Sequence, residues 1–331
     1  MKKILKTILG LALIVSISIA FAGCGKVTVT DREMNKIIAG SANNYLYTEI
    51  YEKYGNKTIT HTQSGVDEQV NILTYKKNST DATTITETFK NRFSHTETKT
   101  ISRYGNSNNT FIKVVIEGKQ NLHYFDVASD ETLKETTEIT KYIETYYLGS
   151  VTEGETQSFY AIKIIEQKNQ KDEEQEIVTT SEKAYKNFAD ADAFKEAVIN
   201  AVDDFNENIV SSFEITQSFN SNGVYTKEGN KYFANFEKYY VSTSEENAEN
   251  GVENIATTFE VVFDQLALVE VSSSNLYEKV FSSGESTKSE YDFKTKISYS
   301  SEAITMPTLN QNYVEEDFSI NTEIETYIKN L

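Results

Sequence analysis

The 331-residue sequence predicts a mostly β chain with a few helices, an α+β arrangement built on antiparallel sheet. Three observations point there. Period-two alternation rich in Thr, Tyr, Val, Ile and Phe fills most of the chain, and alternation of that kind is strand patterning. The alternating runs are joined by turns too short for parallel crossovers, so neighbouring strands run antiparallel. Helical spacing of apolar residues shows clearly in only two stretches.

The N-terminus is a separate matter. Lys2, Lys3 and Lys6 precede an apolar run from Ile8 to Ala20, shorter than the roughly 20 residues a membrane-spanning helix needs. This is the build of a secretory signal peptide over residues 1–23. Phe21-Ala22-Gly23-Cys24 resembles the lipobox of bacterial lipoproteins. That resemblance implies cleavage before Cys24, a lipid on its sulfur, and a short tether over residues 24–30. It makes the membrane a partner through Cys24 and places the body on the extracytoplasmic face of the cell membrane. Lysines far outnumber the arginines Arg32, Arg92 and Arg103, a bias that favours a Gram-positive-type host.

Composition excludes several classes. A single Cys forms no internal disulfide. The net charge of −18, becoming −21 once residues 1–23 and their three lysines leave, opposes a non-specific grip on nucleic acid. The same charge holds the body off an anionic surface.

The mature chain divides into a first half, 31–187, a second half, 188–309, and an acidic tail, 310–331. Each half opens with one helix. Thr30-Asp31-Arg32-Glu33 fits a capping box, followed by Met34, Ile37, Ile38, Ala42, Tyr45 and Leu46 on one face, with the helix fading near Tyr45. The second helix follows Asp190 or Asp192 as cap and carries Phe194, Val198, Ala201, Phe205 and Ile209 as its apolar stripe. Strand patterning covers residues 84–90, 111–117, 158–166, 213–219, 231–241, 257–263, 266–271 and 294–300. Turns are expected at Gly105-Asn106, Gly118-Lys119, Asn222-Gly223 and Gly229-Asn230. The charged run 167–187 reads either as a boundary between halves or as a solvated hairpin.

No catalytic constellation emerges. His61, His95 and His123 sit in strand-like runs without the i, i+4 spacing of a helical zinc site, and each is expected as a satisfied or exposed surface residue. No nucleophile elbow, phosphate-binding loop or dinucleotide fingerprint appears, so neither enzyme activity nor a cofactor or metal is expected. The helix from Asp192, the strand from Phe213 and the meander ending at Ala303-Ile304-Thr305-Met306-Pro307 resemble the LolA/LppX-like half-barrel. That resemblance implies a curved sheet, half-barrel-like and covered by amphipathic helices, that carries a lipid or other hydrophobic small molecule. Its apolar ligand face would comprise Phe213, Ile215, Phe219, Phe236, Phe259, Val261 and Phe263. The alternative reading is a non-catalytic surface module that binds a protein or glycan through tyrosine-rich faces, or a structural component of an envelope complex.

Overall fold

The computed structural model describes residues 26–37, 56–80, 83–106, 109–153, 155–171, 178–198, 223–242, 252–264, 267–299 and 302–318. The chain is mostly β, as the patterning predicts. Its strands are β1 (Val27–Thr28), β2 (Lys57–Lys76), β3 (Thr84–Asn106), β4 (Asn109–Val127), β5 (Leu133–Glu153), β6 (Thr156–Lys171) and β7 (Val178–Asn187) in the first part. The second part gives β8 (Val224–Glu228), β9 (Lys231–Ser242), β10 (Val252–Asp264), β11 (Ala267–Val280), β12 (Ser286–Ser298) and β13 (Val314–Glu315). Two short helices accompany them among the described residues, α1 at 31–37 and α2 at 191–198.

All thirteen strands form one sheet, in the order β1-β8-β9-β10-β11-β12-β2-β3-β4-β5-β6-β7-β13. Every neighbouring pair is antiparallel except β13, which lies parallel to β7. The chain meanders from β2 to β7, leaves the sheet, and returns at the far edge through β8. It then meanders back until β12 pairs with β2 from Ser286↔Val70 to Ser298↔Thr58. The charged run 167–187 is spanned by the β6–β7 hairpin, whose strands pair from Asn169↔Val178 onward.

Both helix caps act as the sequence implies. The Glu33 amide donates to Thr30 Oγ1 at 3.3 Å, and the Ala193 amide donates to Asp190 Oδ1 at 2.8 Å. Gly105, at φ 112°, and Gly229, at φ 58°, occupy left-handed turn positions that favour glycine. Gly118 does not turn; it lies inside β4, paired with Tyr142.

The apolar core occupies one end of the strands and one face. There Ile59, Ile101, Ile112, Val114, Leu148, Phe236, Phe259, Val261, Phe263, Phe293 and Ile297 join Met34 of α1 and Phe194 and Val198 of α2 in a single buried cluster. The ring of Phe194 packs at 5.0 Å on that of Phe159. β11 carries one extra residue between Leu268 and Glu270, opposite the Val262/Phe263 step of β10. This bulge turns Leu268 to the face of Phe263 and completes the cluster. On the other face, Phe111 and Met306 close over Gly149. The remaining halves of β2 to β5, β11 and β12 run on without a covering element among the described residues, with side chains mostly half-buried against their neighbours.

The residues after β12 secure an edge. Beyond β13, Glu316 joins Glu182 in pairing with the buried Lys163 ammonium, and Phe318 lies under the same ammonium at 5.3 Å. Burial is the largest single influence and works against the Lys163 charge, but the hydrogen bonds and negative charges of the two carboxylates together raise its pKa. Asp317 pairs with Lys186 at 2.5 Å.

Phe263 is fully buried, so Phe263→Ala should cost about 3–5 kcal/mol of unfolding free energy in a urea titration. Ile143→Ala, at a position 44% exposed on the bare part of β5, should change it by less than about 1 kcal/mol.

Candidate functional site

The pairing registers place two glycines on the core-bearing face, just beyond the apolar cluster. Gly65 of β2 has Tyr291 of β12 on one side and His95 of β3 on the other. Gly118 of β4 has Glu97 of β3 and Tyr142 of β5. A side chain at either glycine would collide with the tyrosine ring; a Cβ on Gly65 would come within 2.6 Å of Tyr291. Each tyrosine uses the gap to lean over the glycine toward a carboxylate. Tyr142 crosses the whole of β4 and donates to Glu97 Oε2 at 2.6 Å. Tyr291 donates to the Asp67 carboxylate at 2.7 Å. Glycine within a strand commonly marks such a close approach.

Between these tyrosines lies a recess of about 540 Å³, spanning β12 and β2 to β6. Its wall mixes the rings of Phe93, His95, Tyr142 and Tyr291 with Gln63, Asp67, Glu97, Lys99, Gln120 and Glu144. Gln63 Nε2 donates to Glu97 Oε1 at 3.3 Å, which fixes the amide orientation, since the reverse would face a carbonyl oxygen to a carboxylate. Gln63 is 7% exposed, and its Oε1 is buried. Glu144 accepts from the Tyr146 hydroxyl at 2.8 Å. Burial, and then that carboxylate, push the Tyr146 phenol well above its ordinary pKa.

Behind Gln63, on the core side, His61 corrects the surface expectation made for it. It is 3% exposed, with Nδ1 at 2.8 Å from Thr295 Oγ1 and its ring stacked on Phe293. Its Nε2 is buried, and the Gln63 side chain hydrogen-bonds to the ring and works against the fall in its pKa. Burial, and after it the charge of Lys99 opposite on β3, push the imidazole down to about 4. His95 also lies on this face, lining the recess. His123 meets the expectation, being partly exposed at the surface and 2.8 Å from Glu135. Among the described residues, no group of three or more His, Cys, Asp or Glu side chains is placed to hold a metal ion.

The recess is not where the apolar residues pointed. Phe236, Phe259, Val261 and Phe263 are at most 4% exposed and belong to the core beneath the helices. Phe213, Ile215, Phe219 and Cys24 lie outside the described residues. Sequence reasoning missed Gln63, Asp67, Glu97, Tyr142 and Tyr291. The available signal was the pair of glycines set inside otherwise alternating strands.

No protein-family description matches the chain, and no curated protein matches it. Solved structures to which it is similar include the translocator domain of the autotransporter NalP from Neisseria meningitidis. That match has 8% identity and TM-score 0.22, over 80% of this chain and 95% of that one. Ail, the attachment invasion locus protein of Yersinia pestis, is 6% identical at TM-score 0.17, over 73% of this chain and 98% of that one. The β domain of the Bordetella autotransporter BrkA is 7% identical at TM-score 0.18, over 73% and 99%.

These findings correct several expectations. The similar structures are bacterial outer-membrane β-barrels, not LolA/LppX-like lipoproteins of a Gram-positive-type cell membrane, so that resemblance and that location are set aside. The physical reason lies in the sheet. The described strands of the second half, β8 to β12, do not form a sheet of their own, because β12 continues directly into β2 along thirteen paired positions. The hydrophobic-ligand carrier reading is withdrawn with it. At these TM-scores the likeness carries nothing about activity.

The His61 environment has a measurable consequence. A base whose pKa is held below its unfolded value of 6.5 contributes fully to stability above that value. The contribution is lost as pH falls toward 4, because the unfolded chain takes up the proton first. Urea unfolding of the parent should therefore lose on the order of 3 kcal/mol more than His61→Asn between pH 7 and pH 4. Equal losses in the two proteins would show that His61 does not titrate this way.

Proposed function

We propose that the chain is a non-catalytic exported module that binds a glycan in the recess between Tyr291 and Tyr142, with the sheet curving so that this face is concave. The observation that carries the reading is the composition of the wall. Flat rings alternate there with carboxylate and carboxamide groups, in a cavity of small-molecule size on rigid strands. Sugars offer just that pair of surfaces, apolar C–H faces that lie on rings and hydroxyls that bond to carboxylates and amides. Tyrosine supplies broad contact area at low entropic cost, and its hydroxyl here is held in place by a carboxylate. The reading needs no reacting group; the recess gathers aromatic and hydrogen-bonding side chains around a space.

Export through residues 1–23 and acylation of Cys24 belong to the same proposal, resting on the sequence of that segment. Cys24→Ser should move the protein from the detergent phase to the aqueous phase; continued detergent partitioning would refute the anchor.

Glycan-array screening of the mature protein should return at least one class of oligosaccharide. Tyr142→Ala and Tyr291→Ala should each weaken that binding by about tenfold or more, while Ile143→Ala, away from the recess, leaves it unchanged. An array without binding would refute the glycan reading.

A further inference from the structure

The described chain is tied to the sheet from its first residue. Lys26 holds its ammonium 3.7 Å from the centre of the Phe233 ring on β9. The same charge acts on the half-buried Glu260 carboxyl, opposing the rise in pKa that burial causes there. Val27 and Thr28 then pair with Lys227 and Thr226 of β8. The Val29 amide donates to the Tyr225 carbonyl oxygen at 2.9 Å, and Val29 and Met34 are buried in the core cluster. Glu33 of α1 accepts from the Tyr232 hydroxyl at 3.3 Å. The first residues of a domain fray unless they are held, and these are held on both sides.

The place of attachment matters because of what precedes it in the chain. Only Gly25 separates Lys26 from Cys24, so the Cys24 backbone stays within about 7 Å of a fixed point on the sheet. The pairing of Val27 with Lys227 and Thr28 with Thr226 carries β1, read backward, toward the β8–β9 turn at Gly229-Asn230. The tether therefore leaves from one end of the sheet, the end that holds the apolar cluster, where Tyr232 pairs with Phe263. From that end the strands run away together. The 23 residues of β3 span about 70 Å at the rise of an antiparallel strand.

Charge decides how such a sheet meets a bilayer. The −21 left after residues 1–23 depart repels anionic headgroups. The bare strand halves carry charges on both faces, as Asp67 and Glu68 do in succession on β2, and laying either face on the membrane would desolvate them. The exposed Gly229-Asn230 turn, flanked by Lys227, Glu228 and Lys231, is the part nearest the tether.

We propose that the sheet stands on the membrane by its core end, held there by the short tether, with the β8–β9 turn against the lipid headgroups and the strands projecting outward. This inference rests on acylation of Cys24 and adds an orientation to it. Gly65 lies eight residues along β2 from Lys57, which lifts the recess about 25 Å above the membrane and opens it sideways.

Fluorescence quenching on vesicles tests the arrangement. Cys24 is the only cysteine, and acylation consumes its sulfur, so an introduced cysteine takes a thiol-reactive dye alone. The acylated protein is bound to the outer leaflet of phosphatidylcholine vesicles that carry a minor fraction of lipid with a quencher on its headgroup. Dye on Asn230→Cys should lose most of its emission, and dye on Ser79→Cys, in the turn after β2 at the far end, almost none. Inserting a flexible Gly-Ser segment between Gly25 and Lys26 should restore the Asn230 emission while the protein stays on the vesicles. Equal loss at the two positions, greater loss at Ser79, or loss at neither would overturn the upright arrangement and leave the anchor standing. Quenching at Asn230 that survives the insertion would overturn the short tether as its cause. A parent protein that stays in the aqueous phase on detergent partitioning would overturn anchor and orientation together.

Discussion

Confinement of the apolar side chains to one end of the strands is the constraint on which the rest of this structure depends. Where Phe236, Phe259, Phe263, Ile112 and Leu148 lie under Met34, Phe194 and Val198, burial fixes the register of the strands. Shifting one strand by a single residue would turn its whole apolar set to the other face. Past that end, the same strands continue as a sheet held by backbone ladders and cross-strand pairs such as Thr74 with Thr86 at 2.8 Å. A hydrophilic extension of this kind has little of its own to fix its pairing. It inherits its register from the core, one residue after another.

The recess sits at the junction of these two regimes, which explains its mixed character. On the core side, Ile116 and the buried His61 continue the apolar packing. On the other side, Asp67 and Gln120 belong to the hydrated extension. The junction row holds side chains that must satisfy both, and tyrosine does so with an apolar ring and a polar tip. The glycines opposite Tyr142 and Tyr291 let the rings lie down along the sheet instead of standing up from it. A larger residue at either site would fill the space that the ring and the recess now share.

The parts of this fold legible in the sequence are those written in neighbouring residues. Thr30 with Glu33 and Asp190 with Ala193 declared the helix starts, and Gly229-Asn230 declared a hairpin. The long strands were only partly visible. Most of β5 mixes Thr, Glu, Lys and Tyr on both faces, because both faces of its outer half meet water, so the alternation that marks a half-buried strand is weak there. Gly118 reads locally as a turn; only the ring of Tyr142 from the next strand explains its place inside β4. The recess depends on Tyr291 lying beside Gly65, residues more than 200 positions apart, and no local pattern encodes such a neighbour. The seven apolar residues taken for a ligand face illustrate the converse. Four of them share the core-bearing face as expected, but the helices that share their cluster leave them as plain core.

The joint between β2 and β12 also orders events in time. When β2 to β7 have been synthesised, β2 is an open edge twenty residues long, with threonine its commonest residue and no partner on its outer side. Its partner lies near the end of the chain, so the central ladder of the sheet must close one of the longest loops the molecule contains. Contacts of such separation make folding slow, and an unpaired edge of that length invites pairing with another chain in the interval. The charges of Lys57, Asp67, Glu68 and Lys76 along β2 therefore serve a second purpose, keeping the half-made sheet apart from its neighbours until its own last strands arrive.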